Sequence, residues 1–430
     1  MGFNNKGYFR IGEAMDREIS SNQTGQKRNY IIFTIAVFLA YAFFGFSDTA
    51  RSTAFPRIQD DLKISEMQLG LLMAINSVGY LIACSFTAKL AGIIGIKACM
   101  ITALCVQACS GVLIFLTPNF EMLAAAFLVL NLGNGMLDVS TGVIAAMTFT
   151  KRTGTMMNIA HCFYGVGMSL APVVTVGLMM ASAGGRPLTF RHMYLIILSF
   201  AILPAIIALL GRLKKQEREK SKTGFSAVLK KPTLWLTVLI LALGSIAEMG
   251  VVSWFPNFLE KTYSFTGERA ASYLTLFCVC IMATRLIIGP VVDKLGFINT
   301  LAIATAFAGI MITLGVLLGK SGSVFLVLAG IGIAPIFPTV MAVIAKLFSE
   351  NIDLAMTSIL TANGVIMVPS SYMVGGIINQ ARLVFTEAHG DAGISMAYST
   401  GYLFLGLVCF GSCIAALFLR KSQSKTGQIV

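Results

Sequence analysis

Four charged residues lie deep inside apolar stretches of this chain: Asp48, Asp138, Glu248 and Arg285. A charge at the centre of a hydrocarbon layer costs about 2.5–3.5 kcal/mol, so each needs a partner, a polar cavity or a proton. Asp48 stands three residues before Arg51, on one helical face with it. The pair can form a salt bridge, or Asp48 can instead take a proton or contact a sugar hydroxyl. Asp138 follows Asn131 and Asn134 at spacings of three and four, which puts the three polar groups on one helical stripe. Gly133 and Gly135 in the same stretch permit a close helix approach. A desolvated carboxyl favours its neutral form, which suits Asp138 to load and release a proton.

Glu248 sits among small residues in Gly244-Ser245-Ile246-Ala247-Glu248, with Trp254 and Phe255 about two turns on. An aromatic face beside carboxylate and amide groups suits the apolar face and hydroxyls of a sugar. Trp254 also fits the role of an interfacial anchor. Arg285 can pair with Glu248 or reach an anionic ligand such as an acidic sugar. His161 can donate and accept at once, as a helix-packing residue, a hydroxyl ligand or a proton relay. Asn76, Gln107 and Asn363 are further polar groups in apolar runs, each able to line a cavity or to bond another helix. Pro335, Pro338 and Pro369 free backbone carbonyls, so bending or gating is expected there.

These residues require membrane helices to carry them. The chain has 430 residues, 56% hydrophobic and only 12% charged, about half the charge density of a soluble domain. A bilayer core takes about 20 apolar residues per helix, and the sequence offers twelve such runs: 31–53, 69–91, 94–116, 122–149, 156–183, 193–212, 234–259, 268–291, 297–319, 323–348, 355–380 and 397–420. A water-soluble enzyme and a disordered chain are both excluded. A membrane-embedded enzyme is disfavoured too, because the runs contain no metal-ligand spacing and no paired nucleophile and base.

The excess of Lys and Arg, 32 against 19 acids, gives a net charge of +13. Acids at Glu13, Asp16 and Glu18 rule out a signal peptide in the first 30 residues, which places the N-terminus in the cytoplasm. Alternating the loops then puts 22 Lys and Arg inside and nine outside, as the positive-inside rule requires. The charge reports topology and needs no nucleic-acid partner. All nine cysteines fall in apolar runs, where they read as small packing residues.

A basic stretch at 213–232 divides the chain into halves of six helices, 31–212 and 233–420, with a cytoplasmic segment at 1–30 and a tail at 421–430. The expected fold is an all-α polytopic membrane protein: twelve transmembrane helices in two pseudo-symmetric six-helix bundles, both termini cytoplasmic. Transporters built from parallel repeats have this plan, with the substrate site between the halves. Ala88-Lys89-Leu90-Ala91 at the end of the second run is a weak echo of Asp293-Lys294-Leu295-Gly296 after the eighth. Asp293 there could cap a helix or engage the neighbouring bundle.

Gly289-Pro290-Val291-Val292-Asp293-Lys294-Leu295-Gly296 resembles the short loop motif of the major facilitator superfamily (MFS). Ala160-His161-Cys162-Phe163-Tyr164-Gly165-Val166-Gly167, Gly244 to Leu259, and Ala334-Pro335-Ile336-Phe337-Pro338-Thr339 resemble its FHS group, the fucose permease and glucose/mannose transporter-like proteins. That resemblance implies sugar import by alternating access, coupled to H⁺ or, in some relatives, Na⁺. It implies that Asp48 and Asp138 handle substrate and proton. No cofactor is expected, and the implied setting is a monomer in a cell membrane. Two other functions remain open on the same fold: a polyspecific drug/H⁺ antiporter, which 22 Met and 30 Phe would suit, and an organic-anion transporter. A non-transporting membrane sensor has no need of buried acids in both halves.

Overall fold

The computed structural model describes residues 5–149, 153–183, 186–213, 230–348 and 352–426. Twelve helical segments among them are long and apolar enough to cross a membrane, and we number them as spans 1–12. Spans 1–6 are Gln26–Leu62, Glu66–Ile94, Ile96–Phe115, Phe120–Thr148, Ile159–Met180 and Phe190–Leu210. Spans 7–12 are Pro232–Tyr263, Gly267–Ile287, Phe297–Leu317, Gly319–Ile344, Ser358–His389 and Ala392–Ser424. Each overlaps one of the apolar runs. The chain is a multi-pass membrane protein, and an even number of spans returns both termini to one end of the bundle. We call that end proximal and the other distal.

The helix ends differ from the runs in instructive ways. The helix carrying span 1 begins at Asn5, so the polar N-terminal segment is helical. No proline occurs before Pro56, and a helix nucleated in the apolar run propagates back through residues that lack a breaker. Span 6 is two helices, Phe190–Ser199 and Ile202–Leu210. The helix of span 11 runs over Ile352–His389, well past the C-terminal end of its apolar run. Of the expected linker at 213–232, residues 214–229 lie outside the described residues, as do residues 427–430 of the tail.

The two halves carry a conformational echo that the sequence only hints at. Gly95 after span 2 has φ 87° and ψ 149°, and Gly296, after span 8 and a short helix at Gly289–Leu295, has φ 79° and ψ 153°. Side chains other than glycine rarely enter this region, and each glycine leads directly into the next helix. Asp293 lies in that short helix; its side chain lies outside the described residues.

Within the N-terminal half, spans 1 and 5 cross at glycines. A Cβ on Gly45 would run into the backbone of Tyr164, and one on Gly167 into the backbone of Ala42. The contact sets Tyr164 against the Asp48 turn. Gly167→Ala is therefore expected to destabilise the protein by about 1–3 kcal/mol through overpacking. Gly177→Ala in the same helix, where nothing lies within 4 Å of the added Cβ, is expected to be silent. Thermal melts in detergent compare the two.

The halves meet through spans 2 and 11, 5 and 8, and 1 and 7. Among the described residues, every ion pair between the halves lies at the distal end. Arg57 Nη1 binds Glu260 Oε2 at 3.1 Å, Lys261 Nζ binds Asp60 Oδ1 at 3.4 Å, and Arg382 binds Glu66. Among the described residues, the deepest hydrogen bond across the halves is Ser77 to Ser371 at 3.3 Å. The distal end is sealed in this state.

Candidate functional site

Asp48, Arg51, Glu248 and Arg285 gather where the halves meet, and all four are paired. Arg51 Nη2 lies 2.9 Å from Asp48 Oδ1, as the spacing allows. The Tyr164 hydroxyl donates to the other carboxylate oxygen at 3.2 Å. In the second half, Arg285 Nη2 donates to Glu248 Oε1 at 3.0 Å. Tyr164 stands within electrostatic reach of Asp48, Arg51, Glu248 and Arg285 together, so it marks the junction of the two pairs.

Proline chemistry explains how Arg285 is held. Span 10 breaks between helices Ser323–Ile333 and Ile336–Leu347, the break falling at Pro335. Pro338 has no N–H to offer the carbonyl four residues back, which is that of Ala334. Arg285 Nε donates to this freed carbonyl at 3.1 Å. The guanidinium is thus fixed by one carboxylate and one backbone oxygen, and Pro335 and Pro338 are structural partners of the site.

Asp138 is different. Among the described residues no cation lies within ion-pair distance of it; its carboxyl accepts a short hydrogen bond from the Tyr80 hydroxyl of span 2. Gly135 makes that bond possible, because a Cβ there would meet the Tyr80 backbone and, at 2.8 Å, the Ala83 side chain. A phenol leaves the negative charge of a carboxylate uncompensated, whereas a proton removes it. Asp48 and Tyr41 are its electrostatic neighbours, and the Tyr41 ring contacts the His161 ring at 5.0 Å. His161 is exposed and lies within reach of the Arg285 charge, so it faces the other half.

On the distal side, a cavity of about 60 Å³ lies between spans 1, 2, 7 and 11. Its lining includes Arg51, Ser77, Ser253, Trp254, Ser370 and Ser371, with Met73, Met249 and Met367. Trp254 is fully buried and stands edge-on to Tyr398 at 6.2 Å, which rules out the interfacial-anchor role.

Other polar residues lie elsewhere. Gln107 is fully buried against Gly133 in the contact of spans 3 and 4. Asn131 bonds the Phe127 carbonyl of its own helix at 3.0 Å, and Asn134 bonds Asn131 at 3.3 Å. Asn76 is buried within the N-terminal half, and Asn363 lies on span 11 beside Gly364, which packs on Leu81 of span 2. Sequence reasoning passed over Tyr80, Tyr164 and the distal pairs. The tyrosines carry no charge to flag them, and the paired ions sit at helix ends, where charge is ordinary.

The Major Facilitator Superfamily model matches residues 37–371, spanning both halves. The chain belongs to the major facilitator superfamily. This is a family of transporters rather than enzymes, and the resemblance read from the loop motif holds at that level. The chain is 26% identical over 300 residues to "Uncharacterized MFS-type transporter YhhS" of Escherichia coli O157:H7, covering 67% of this chain and 71% of the relative. A bacterial homologue of the human lysosomal transporter Spinster, in an inward-facing, unoccupied conformation, superposes with a TM-score of 0.77 at 15% identity over 91% of this chain and 98% of that one. FucP in the outward conformation gives 0.61 at 18% identity, over 91% and 99%. These structures share the MFS fold with this chain.

Proposed function

We propose that this MFS transporter imports a sugar or sugar-like solute by H⁺ symport, with Asp138 as the proton carrier. One observation carries the coupling: Asp48 and Glu248 each have an arginine, whereas Asp138 has only a phenol. Protonation of Asp138 leaves the site with two internally neutral pairs, and a neutral carrier can close around its load at lower electrostatic cost. Deprotonation on the proximal side then favours release. The serine hydroxyls, Arg51 and the Trp254 face support a polyhydroxylated solute. The FHS resemblance in spans 5, 7 and 10 and the shared fold with FucP support the same class. Proximal is the cytoplasmic side in this reading, consistent with the basic loops and with the better fit to an inward-facing chain. The two ion pairs, Asp138 and the cavity all belong to one chain, which supports a monomeric carrier in a cell membrane.

A second reading draws on the three methionines of the cavity wall, whose flexible thioethers suit a lipophilic solute exchanged for H⁺. Arg285 is committed to Glu248 and Ala334, which weighs against an anion carrier. The deciding experiment is uptake by reconstituted vesicles of labelled neutral and acidic sugars, with pH and Na⁺ gradients imposed separately. Accumulation of a neutral sugar driven by the pH gradient alone is expected. Efflux of lipophilic cations without sugar uptake would favour the antiporter, and dependence on Na⁺ alone would remove Asp138 as a proton carrier.

A further inference from the structure

The distal contacts between the halves differ sharply in burial. Lys261 and Asp60 have side chains 37% and 55% exposed, and a pair this open is screened by salt and contributes little. The Arg57–Glu260 pair is intermediate, 42% and 15% exposed. Glu66 is another matter. Its side chain is only 3% exposed, at the first turn of span 2 behind the Ser65/Gln68 capping box. Arg382 of span 11 donates to both of its oxygens through Nη1, at 2.8 and 2.9 Å. Tyr398 of span 12 donates to Oε1 at 3.3 Å. Behind Tyr398, Asn257 of span 7 donates to Gln59 of span 1, with both amides buried. Gly375 of span 11 lies against the Glu66 backbone, so no side chain can enter there.

Spans 2, 11 and 12 therefore converge on one buried carboxylate, with spans 1 and 7 behind them. The charge is tolerable only while the halves are together and the guanidinium is in place. When the distal end opens, Glu66 gains water and needs no partner. We propose that Glu66 and Arg382 form the latch of the distal end, holding it shut by charge pairing at a buried site, and that the more exposed pairs around them are secondary. The latch is independent of which solute is carried.

The asymmetry of burial makes a specific prediction. Arg382 has a side chain 43% exposed and can hydrate if Glu66 is removed. Glu66 cannot hydrate without opening the distal end. Loss of the arginine must therefore open this end more than loss of the charge on Glu66. Removing both charges must restore closure.

The protein carries its own reporter. It has two tryptophans, and Trp254 stands beside Tyr398 under the latch. In a Trp235→Phe background, acrylamide quenching of Trp254 in nanodiscs reads the open fraction of the distal end. Arg382→Ala is expected to raise the open-to-closed ratio by at least about tenfold, the equivalent of about 1.4 kcal/mol. Glu66→Gln should raise it less, and Glu66→Gln/Arg382→Ala should fall back towards the parent. Arg382→Met, which keeps the side chain's volume, serves in place of Arg382→Ala if that variant does not fold by size exclusion and thermal melt. Parent-like protection in the folded Arg382 variant would overturn the latch, as would a double variant as open as the single.

Discussion

Asp138→Asn is expected to abolish accumulation while leaving exchange intact. A pH gradient of one unit stores about 1.4 kcal/mol per proton, enough for about tenfold accumulation at one proton per solute. The variant should bring that ratio to about 1. Counterflow, which requires only that the loaded carrier reorient, should persist, because asparagine resembles the protonated carboxyl in shape and in lacking charge. The Tyr80 hydroxyl can donate to an amide oxygen as it does to the carboxyl. Efflux and counterflow assays on the same vesicles separate the two effects. Loss of both would make Asp138 a structural or substrate-binding group rather than a coupling one.

The second large effect concerns the other half. Arg285→Ala removes the partner of Glu248, whose side chain is 14% exposed, and leaves the Ala334 carbonyl without its donor. Breaking a buried ion pair from one side costs about 3–5 kcal/mol. The exposure of Arg285, 31%, puts this case at the lower end, about 3 kcal/mol. Glu248→Gln/Arg285→Gln should recover most of that loss, since no charge is then left unpaired. Thermal melts give the stability order, and a double variant no more stable than Arg285→Ala would show that the pair is not the source. Transport by the double variant tests a separate point. If the Glu248–Arg285 pair is architectural, solute-dependent exchange survives its neutralisation.

Most of the fold was legible because the bilayer imposes one length scale on the sequence. Twelve apolar runs gave twelve spans. Helix ends were less legible, since a helix continues through polar residues until something stops it, as the start at Asn5 and the extended helix of span 11 show. The charged part of the site was legible for the same reason as the spans. Asp48, Asp138, Glu248 and Arg285 were conspicuous because charge is costly where they lie, and the i, i+3 spacing of Asp48 and Arg51 anticipated their bond.

What escaped the sequence were relations between distant segments. Nothing near Tyr80 indicates that Gly135, 55 positions on, lets it reach Asp138. Pro338 could be read as freeing the Ala334 carbonyl, but not that Arg285 would occupy it. The stripe of Asn131, Asn134 and Asp138 was geometrically right, yet the amides are turned to their own helix and only the acid finds a partner on span 2. The external cations were counted for topology; in the fold, Arg57, Lys261 and Arg382 tie the halves together.

Proton movement driven by the solute alone is the most direct test of the central claim. Vesicles carrying the protein, lightly buffered and held without any pH, Na⁺ or electrical gradient, are given an outward-to-inward gradient of the neutral sugar that supports uptake. If Asp138 carries a proton with each solute, the external medium alkalinises in step with entry, and Asp138→Asn vesicles take up the same sugar down its gradient with no pH change. Sugar entry through the wild-type protein with no external alkalinisation, or alkalinisation that persists in Asp138→Asn, would contradict the account.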